Sequence, residues 1–546
     1  MSQGPIPRAL RRVRAAVFIS FALAAAAVPA GEPVPLLEGL GAYRASAGTR
    51  SARAQRYFDQ GFVMAFGFNP EESARAFEAA ARLDPGCALC WWGLAWSLGP
   101  SINADMGEQA TRRVAAALAQ ARKAKARAPD RTRALVEALE KRHPARGAPE
   151  ALDEPAYERA MAVLGKRHPR DADIAFLSAE ALLNLHPYDW WEEDGRAKAW
   201  TGEIERRLAR ALALAPKHPG ALHYWIHLQE SSPKPARALA QADLLRDLVP
   251  GSGHLLHMPA HIYLRTGRYA DASAANERSI EADRRYLEQV DAQGAYRVGY
   301  VAHNHHFLWA SAAMQGRSRV AIEAAREAWV AACGPGPREL STATLQHYAA
   351  LPLHALVRFG RWEEILRSLP PDTSEPYPLA VYHFAKGTAF ARTGQASRAR
   401  EELARLSALA ADPALVRAKV KNINTAAKLA LIARSTLEAE IALASGELAR
   451  AIALLRAAVA AEDGLAYDEP HLWLAPTRHA LGRALLAAGR PAEAERVYRE
   501  DLARYPDNGW SLHGLARALR DQGQPAEDAE ARFRVAWREA DFALEP

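Results

Sequence analysis

The chain has 546 residues, far more than one hydrophobic core usually supports, so it forms either several domains or one elongated repeat array. Alanine, leucine, arginine and glutamate are abundant and β-branched runs are scarce, which predicts an all-α protein. The formal net charge is only +7, and the basic run Arg112–Arg133 alternates with alanine and leucine at helical spacing, so nucleic acid is not an expected partner.

Residues 1–30 have the features of an export signal. Four arginines between Arg8 and Arg14 precede the apolar stretch Ala15–Val28, and the chain offers a cleavage site after Ala30. The apolar stretch is short for a membrane span, so we expect cleavage and no membrane-spanning segment in the mature chain. The signal carries four of the seven net positive charges, which leaves +3 on the mature chain. The sequence therefore predicts a periplasmic or extracellular protein.

Residues 31–216 are predicted to form a helical region of divergent repeat units. Within this region Cys87 and Cys90 are three positions apart. A local disulfide or packed thiols are one interpretation of this pair, and a redox or metal-binding role is the other. The aromatic and acidic segment Leu185–Asp194 fits no helical pattern. It forms either a packed connecting loop or a lid over a groove.

Residues 217–365 place histidines in one register on successive predicted helices. The residues that end four of these helices, Pro233, Gly267, Gly316 and Gly360, are each counted as position 15. Positions 2, 5 and 9 are then three and four residues apart and share one side of a helix. Neutral imidazole is the commonest metal ligand in proteins. The candidate metal ligands are His254, His303 and His347 at position 2, His223, His257 and His306 at position 5, and His227, His261 and His354 at position 9.

Other polar residues of this segment are candidates for the same surface. Glu230 follows the first two histidines of the register on one helical face, where a carboxylate is a candidate catalytic base for metal-activated water. Arg265 and Arg358 share position 13, and together with Asn304 they are candidate ligand-binding residues. Asn276 is a further candidate for a polar contact at the wall of the groove.

Two prolines lie within predicted helices of the same segment, where proline is unfavourable. Pro259 and Pro352 both occupy position 7, two residues before a histidine of the register. A proline inside a helix removes a backbone hydrogen bond and costs ~3 kcal/mol. Such departures concentrate at functional sites, which is one interpretation. The other is that each helix begins late, so that the proline lies in its first turn.

Residues 366–546 contain the clearest two-helix repeat. Gly482 and Ala494 are small enough to let two helices approach each other closely, and Gly489 is suited to the turn between them. Tyr498 fills the remaining gap, and Pro506 ends the second helix. These residues and their spacing resemble the tetratricopeptide repeat family.

The resemblance implies an α-solenoid of antiparallel helix pairs, a tetratricopeptide-like superhelix. It is clear from Pro219 onward and looser before that residue. In this family the first helix of each pair lines a concave surface, and positions such as 2, 5 and 9 hold ligands there. The stretches 257–261 and 303–306 also resemble segments of exported bacterial tetratricopeptide proteins, a similarity that implies no activity.

Two functions fit these observations. The first is an exported repeat protein whose histidine-lined groove binds a transition metal (zinc, copper or iron), with metal-dependent hydrolysis or oxidation as the reaction if it is an enzyme. The alternative is a non-enzymatic scaffold that binds a peptide or protein partner in its concave groove. A groove for acidic tails would carry lysine and arginine at positions 2, 5 and 9, whereas this chain carries histidine. No nucleotide cofactor is expected, since no phosphate-binding glycine loop or dinucleotide fingerprint is present.

Overall fold

The computed structural model describes residues 34–143, 151–290, 296–333 and 342–544. The predicted export signal, residues 1–30, lies outside these ranges. Within them the helices are joined by loops and turns, and the only named strands are one antiparallel pair of two residues each, β1 (Lys419–Val420) and β2 (Asn424–Thr425). The prediction of an all-α solenoid is therefore confirmed. No helix in the described ranges has both the length and the apolar character needed to cross a bilayer.

The N-terminal part of the described chain is a series of helices in which neighbours along the sequence pack together. A disulfide joins Cys87 and Cys90 where the third helix begins, which agrees with the first of the two interpretations of this pair. Two short 3-10 helices span Lys125–Arg127 and Pro235–Ala238. The α-helices are α1 (Ala52–Phe66), α2 (Pro70–Leu83), α3 (Ala88–Ser97), α4 (Glu108–Ala124), α5 (Asp130–Arg142), α6 (Glu154–Arg167), α7 (Ala172–Leu185), α8 (Thr201–Leu214), α9 (Pro219–Glu230) and α10 (Leu239–Leu245).

The middle part carries the histidine register. Gly267, Gly316 and Gly360 all have positive φ, with values of 79°, 70° and 63°, and each follows the end of a helix as the register assumed. Glycine adopts this conformation at little cost, which explains why it ends these helices. The helices are α11 (Gly253–His257), α12 (Pro259–Arg265), α13 (Tyr269–Gln289), α14 (Ala302–Met314), α15 (Ser318–Cys333), α16 (Ala343–Arg358) and α17 (Trp362–Arg367), with a π-helical turn over Tyr296–Val301 before α14.

The two register prolines lie in different places. Pro352 is inside α16, nine residues after its first residue Ala343, where it removes a hydrogen bond within the helix. Pro259 is the first residue of α12, which agrees with the second interpretation, and only Met258 separates it from α11. Met258 has helical dihedral angles of −50° and −39°, so α11 and α12 follow each other with little interruption.

The C-terminal part repeats the two-helix unit and confirms the local predictions. Gly489 has a φ of 68° between two helices, and a Cβ atom on Gly482 would lie 2.3 Å from the ring of Tyr498. Ala494 is fully buried where the helices of this unit meet. The helices are α18 (Pro376–Arg392), α19 (Ala396–Ala410), α20 (Pro413–Arg417), α21 (Ala426–Ala444), α22 (Leu448–Asp463), α23 (Thr477–Ala487), α24 (Pro491–Arg504), α25 (Gly509–Arg520) and α26 (Glu527–Ala536).

The last residues of the described chain contact helices α14 and α15 of the middle part. The indole nitrogen of Trp510 donates to the carbonyl of Ala313 at 2.8 Å. The carboxylate of Asp541 accepts from the backbone nitrogen of Ser318, the first residue of α15. The C-terminal units therefore pack against the middle units, and the concave face of the middle part is enclosed.

Candidate metal centre

The structure brings six of the nine register histidines together in one buried group. They come from four helices, α9, α11, α12 and α14, with α10 and α13 lying between them in the chain. Neighbouring rings are separated by 4.7 to 6.4 Å between centroids. The group, called here the histidine cluster, consists of His223, His227, His254, His257, His261 and His303.

The cluster divides into two groups of three. In the first triad, formed by His223, His227 and His254, one ring nitrogen of each residue lies within 4.8 Å of those of the other two. The ring of Phe68 packs against all three imidazoles, with centroid distances of 4.5, 5.6 and 5.1 Å. Phe68 has a φ of 51°, a conformation that is unfavourable for a bulky residue and that is found where a site requires it.

The second triad has the same composition. His257, His261 and His303 also place one ring nitrogen each within 4.8 Å of the others. The ring of Phe307 packs against all three, with centroid distances of 4.7, 4.5 and 4.8 Å. The triads adjoin each other, because the ring of His254 lies 5.7 Å from that of His257.

Hydrogen bonds at the outer nitrogens orient two of the three rings of the first triad, whereas Nδ1 of His254 has no hydrogen-bond partner among the described residues. Nδ1 of His223 lies 2.6 Å from the carbonyl oxygen of Phe66, and Nδ1 of His227 lies 2.8 Å from Oε1 of Glu230. Both partners are oxygens that can only accept, or that accept when ionised, so each Nδ1 donates its hydrogen outward. In the neutral ring the lone pair is then on Nε2, on the side of the other histidines.

Two rings of the second triad, those of His257 and His261, are held in the same way. Nδ1 of His257 donates to Oδ1 of Asn276 at 2.7 Å, and the amide nitrogen of Asn276 donates to the carbonyl of Ala272. Nδ1 of His261 donates to Oε2 of Glu230 and lies 2.7 Å from Oε2 of Glu469. Metal-bound histidines characteristically donate the other ring N–H to a carboxylate, a carbonyl or an amide, which fixes the ring.

The inner nitrogens face one another at short range. Nε2 of His257 is 2.7 Å from Nε2 of His261, and Nε2 of His254 is 3.2 Å from Nε2 of His223. Since Nδ1 of both His257 and His261 donates outward, two neutral rings would direct two lone pairs at each other. A proton or a cation between these atoms relieves that repulsion. The geometry is therefore matched to a positive charge at the centre of the triad.

Two carboxylates supply negative charge to the cluster. Burial disfavours the charged ring of His261, but Glu230 and Glu469 outweigh it and raise the pKa of His261 to about 10. Burial lowers the pKa of His227 to about 3 and lowers those of His223 and His257 well below their ordinary value. Most of the cluster is thus neutral at pH 7, which is the state that binds metals.

A buried ion pair lies next to the cluster. Nζ of Lys421, in the turn between β1 and β2, is 3.1 Å from Oδ1 of Asp468. Burial disfavours the Lys421 ammonium, but Asp468 and Glu469 raise the pKa of Lys421. The pair is electrically balanced, so it adds no net charge to the site. Asp468 and Glu469 belong to the loop between α22 and α23, which reaches the cluster from the C-terminal part.

Aromatic residues from other loops enclose the cluster. Tyr188, in the segment Leu185–Asp194, lies 6.1 Å from the ring of His227 and donates to Oδ1 of Asn103. The same Asn103 donates to the hydroxyl of Tyr300, whose ring lies 4.7 Å from that of His254. The segment is thus a packed loop, and it also forms part of the wall of the site.

Access to the cluster is limited. His303 and Glu469 are partly exposed, whereas the other five histidines are at most 2% exposed. A surface cleft of about 780 Å³ shares no lining residue with the cluster and is bordered by His305 and Asp541. An ion would therefore reach the cluster on the side of His303 and Glu469.

Three register histidines lie outside the cluster. His306 and His347 have ring centroids 5.6 Å apart, and Nδ1 of His347 contacts the hydroxyl of Tyr377 at 2.9 Å. Neither ring nitrogen of His306 has a hydrogen-bond partner among the described residues. His354 packs against the ring of Trp473 at 5.2 Å. The structure does not bring these three residues into a group of metal-ligand geometry with the cluster.

The other predicted site residues have partners that are mostly structural. Arg265 donates to the carbonyl of Glu230 at the end of α9, and Asn304 donates to Oδ2 of Asp283 at 2.8 Å. Arg358 lies 3.7 Å above the ring of Trp510 and contacts His479, away from the cluster. Glu230 contacts the outer nitrogens of two histidines, so its predicted role as a base for metal-activated water remains a prediction.

Sequence reasoning missed Phe68, Lys421, Asp468 and Glu469, whereas Tyr188 lies in the segment Leu185–Asp194 that it had singled out. The four missed residues lie in loops or turns outside the helical register, and they are distant in sequence from most of the histidines. Glu469 had one available signal, because the segment Asp468-Glu469-Pro470-His471 interrupts the spacing of the C-terminal repeats with acidic and histidine residues. The register alone could not have revealed which loops close over it.

The fold and the cluster together define a helical-repeat protein with a buried histidine centre. No protein-family profile and no curated protein matches the chain. The human IFIT1 dimer with m7Gppp-AAAA is similar at 12% sequence identity and a TM-score of 0.29, over 90% of this chain and 91% of that chain. The P58(IPK) TPR domain is similar at 10% identity and a TM-score of 0.23, over 86% of this chain and 99% of that chain. These scores carry no argument about ligands, so the exclusion of nucleic acid remains a prediction.

Proposed function

We propose that this is an exported helical-repeat protein whose interior binds a transition metal at the histidine cluster. The observation that carries the proposal is the orientation of the rings. The outer nitrogens of His223, His227, His257 and His261 all donate to oxygen acceptors, so their inner nitrogens face the other histidines and can coordinate a metal that displaces the proton of His261. Packing alone has no reason to orient four buried imidazoles in this way.

The chemistry of the donors favours zinc, copper or iron. These metals accept imidazole nitrogen, and a site with three histidines leaves one coordination position open for water or substrate. An open position is compatible with hydrolysis or oxidation. Glu230 is better suited to orienting His227 and His261 than to accepting a proton from metal-bound water, because both of its oxygens face Nδ1 atoms.

Burial argues against a peptide-binding groove at the histidines. A peptide held by register positions 2, 5 and 9 needs those side chains at an accessible surface. Instead, eight of the nine histidines are at most 8% exposed, and the segment Leu185–Asp194 and the loop bearing Glu469 cover the cluster. The scaffold alternative therefore requires a different surface of the superhelix.

Export is part of the proposal and has two sources of support. The sequence of residues 1–30 has the composition of a signal peptide. The disulfide between Cys87 and Cys90 is of a kind that persists in oxidising compartments such as the periplasm.

Metal analysis of the purified exported protein tests the proposal. We expect at least one equivalent of a transition metal per chain by mass spectrometry. Replacing His223 and His257 together by alanine should remove it, since one ligand is lost from each triad. A matched control is His218→Ala, because His218 is equally buried on α9 but caps the helix instead of joining the cluster. A protein that is metal-free after growth with zinc, copper and iron, and that binds none in titration, would refute the proposal.

A further inference from the structure

We infer that the histidine cluster holds two transition-metal ions, one in each triad. This inference rests on the proposed function and states how many ions the centre takes. It begins from a rule that the structure reveals in the register. A triad consists of positions 5 and 9 of one helical unit and position 2 of the next unit.

The rule generates both triads. His223 and His227 occupy positions 5 and 9 of one unit, and His254 occupies position 2 of the following unit. The second triad repeats this arrangement one unit later along the superhelix, with His257, His261 and His303. Two equivalent donor sets that arise from one repeat rule are expected to bind the same kind of ion.

The third application of the rule fails at one residue. His306 occupies position 5 and His347 occupies position 2 of the next unit, but position 9 is Ala310. The two rings still approach to 5.6 Å, as the repeat geometry requires. With only two imidazoles this pair lacks the third donor that the two triads possess, so we assign no ion to it.

Each triad also has its own aromatic support. Among the histidine rings of the described residues, Phe68 contacts the three of the first triad and none of the second. Phe307 contacts the three of the second triad and none of the first. A single ion bound by all six imidazoles would require their nitrogens to surround one point, whereas the rings form two groups of three. Two separate centres account for this duplication.

One carboxylate connects the two triads. Oε1 of Glu230 accepts from His227 in the first triad, and Oε2 accepts from His261 in the second. The same side chain therefore orients a histidine of each triad through a hydrogen bond. Two ions bound in the triads would occupy adjacent sites, as in dinuclear centres.

Copper is a suitable probe for these two sites, because it accepts imidazole nitrogen. Anaerobic titration of the metal-free exported protein with copper(I), against a chromophoric chelator, measures the stoichiometry. We expect two equivalents for the natural protein and one for each of His254→Ala and His303→Ala, which remove the position-2 ligand of one triad each. The double variant should retain none. The matched control is His347→Ala, which removes the position-2 histidine of the incomplete third group and should leave two equivalents.

X-ray absorption on the natural copper-loaded protein tests the same inference without a substitution. We expect a first shell of about three nitrogen ligands per copper, from the three-histidine composition of each triad. One equivalent that is lost in either single variant would overturn the two-ion inference but support the proposed function. No bound copper, zinc or iron in the natural protein would instead refute the proposed function itself.

Discussion

Glu230 shows how a single residue organises the site. It is the last residue of α9, it is 1% exposed, and each of its oxygens accepts from a histidine in a different triad. An ionised carboxylate can accept at both oxygens at once, but an amide can accept at only one. The negative charge of Glu230 also strengthens the basicity of both rings as ligands. The residue thus acts on both triads without touching the space between the inner nitrogens.

Replacing Glu230 by glutamine is expected to weaken metal binding about 10- to 100-fold, the usual effect of losing an outer hydrogen-bond partner of a metal-bound histidine. Competition titration with a chelator of known affinity measures the change. Glu402→Gln is the matched control, because Oε2 of Glu402 contacts Nδ1 of His383 at 2.5 Å outside the cluster. An unchanged affinity in Glu230→Gln would show that Glu230 does not hold the metal ligands.

Glu462 provides a prediction about stability and pH. Its Oε2 accepts from the backbone nitrogen and the hydroxyl of Thr477 at 2.7 and 2.6 Å, and its Oε1 is buried without a hydrogen-bond partner among the described residues. Burial raises the pKa of Glu462 from 4.5 to about 7. The folded state therefore binds a proton at pH values where the unfolded chain has already released it. Stability is lost as the pH rises from about 4.5 to about 7, and the loss is complete above that range.

Glu462→Gln should therefore stabilise the protein at pH 8 and have little effect at pH 4. Glutamine keeps the accepting oxygen for Thr477 and removes the buried charge. The shift from 4.5 to about 7 corresponds to at most about 3 kcal/mol in the free energy of unfolding. Denaturant unfolding at both pH values measures the difference, with Glu401→Gln, an exposed glutamate on α19, as the control. Equal effects at pH 4 and pH 8 would contradict the prediction.

At the scale of helices, the glycine positions decide how closely neighbours pack. Tyr498 of α24 lies between Gly482 of α23 and Gly514 of α25, and a Cβ atom on either glycine would fall within 2.3 Å of its ring. Glycine is needed at these two helical positions because the Tyr498 ring occupies the space that a Cβ atom would take. Backbone flexibility is not the reason. This is the packing that the spacing of Gly482, Ala494 and Tyr498 predicted.

Gly482→Ala is expected to lower the free energy of unfolding by about 1–3 kcal/mol, because the methyl group must displace the Tyr498 ring. Gly202→Ala is the matched control. Gly202 is also helical, in α8, but an added Cβ would meet no atom within 4 Å, so alanine there should be neutral or stabilising by up to about 1 kcal/mol. Thermal and denaturant unfolding distinguish the two. Equal destabilisation by both substitutions would show that the loss of glycine, and not the contact with Tyr498, is responsible.

The sequence predicted the helical elements better than it predicted the site. Helix ends at Gly267, Gly316 and Gly360 follow from local backbone chemistry, so a single sequence contains them. The register also placed the histidines on inward faces. It could not separate six of them from His306, His347 and His354, because a triad depends on residues of two successive units, and one alanine at position 310 leaves the third group incomplete.

Closure of the superhelix determines the rest of the site. The loop between α22 and α23 brings Glu469 to His261, more than 200 residues earlier in the chain, and Tyr188 and Asn103 reach the cluster from the N-terminal part. These contacts depend on the curvature accumulated over many helix pairs. Periodicity within one unit carries no information about that curvature, which is why the sequence did not identify Glu469 and Asn103 and left two interpretations open for the segment that contains Tyr188.

At the scale of the whole molecule, the cluster is one of the places where distant parts of the chain meet. The ligands come from α9, α11, α12 and α14, and the loop with Glu469 adds a contact from the C-terminal part. A ligand that binds only the folded state stabilises it by an amount that grows with the ratio of its concentration to Kd, about 4 kcal/mol at a 1,000-fold ratio. Metal bound in the cluster should therefore stabilise the middle of the superhelix above all.

Removing the metal with a chelator is expected to lower the Tm and to accelerate amide hydrogen exchange in α9, α11, α12 and α14 and in the loop that carries Glu469. Helices α24 to α26, which contribute no ligand, should exchange at an unchanged rate, because local opening there does not break the cluster. Mass-spectrometric hydrogen exchange with and without metal measures both regions in one experiment. The variant with alanine at His223 and His257 is the control and should not respond to the chelator. Acceleration spread evenly over all helices would mean that the metal acts on global stability and not through this cluster.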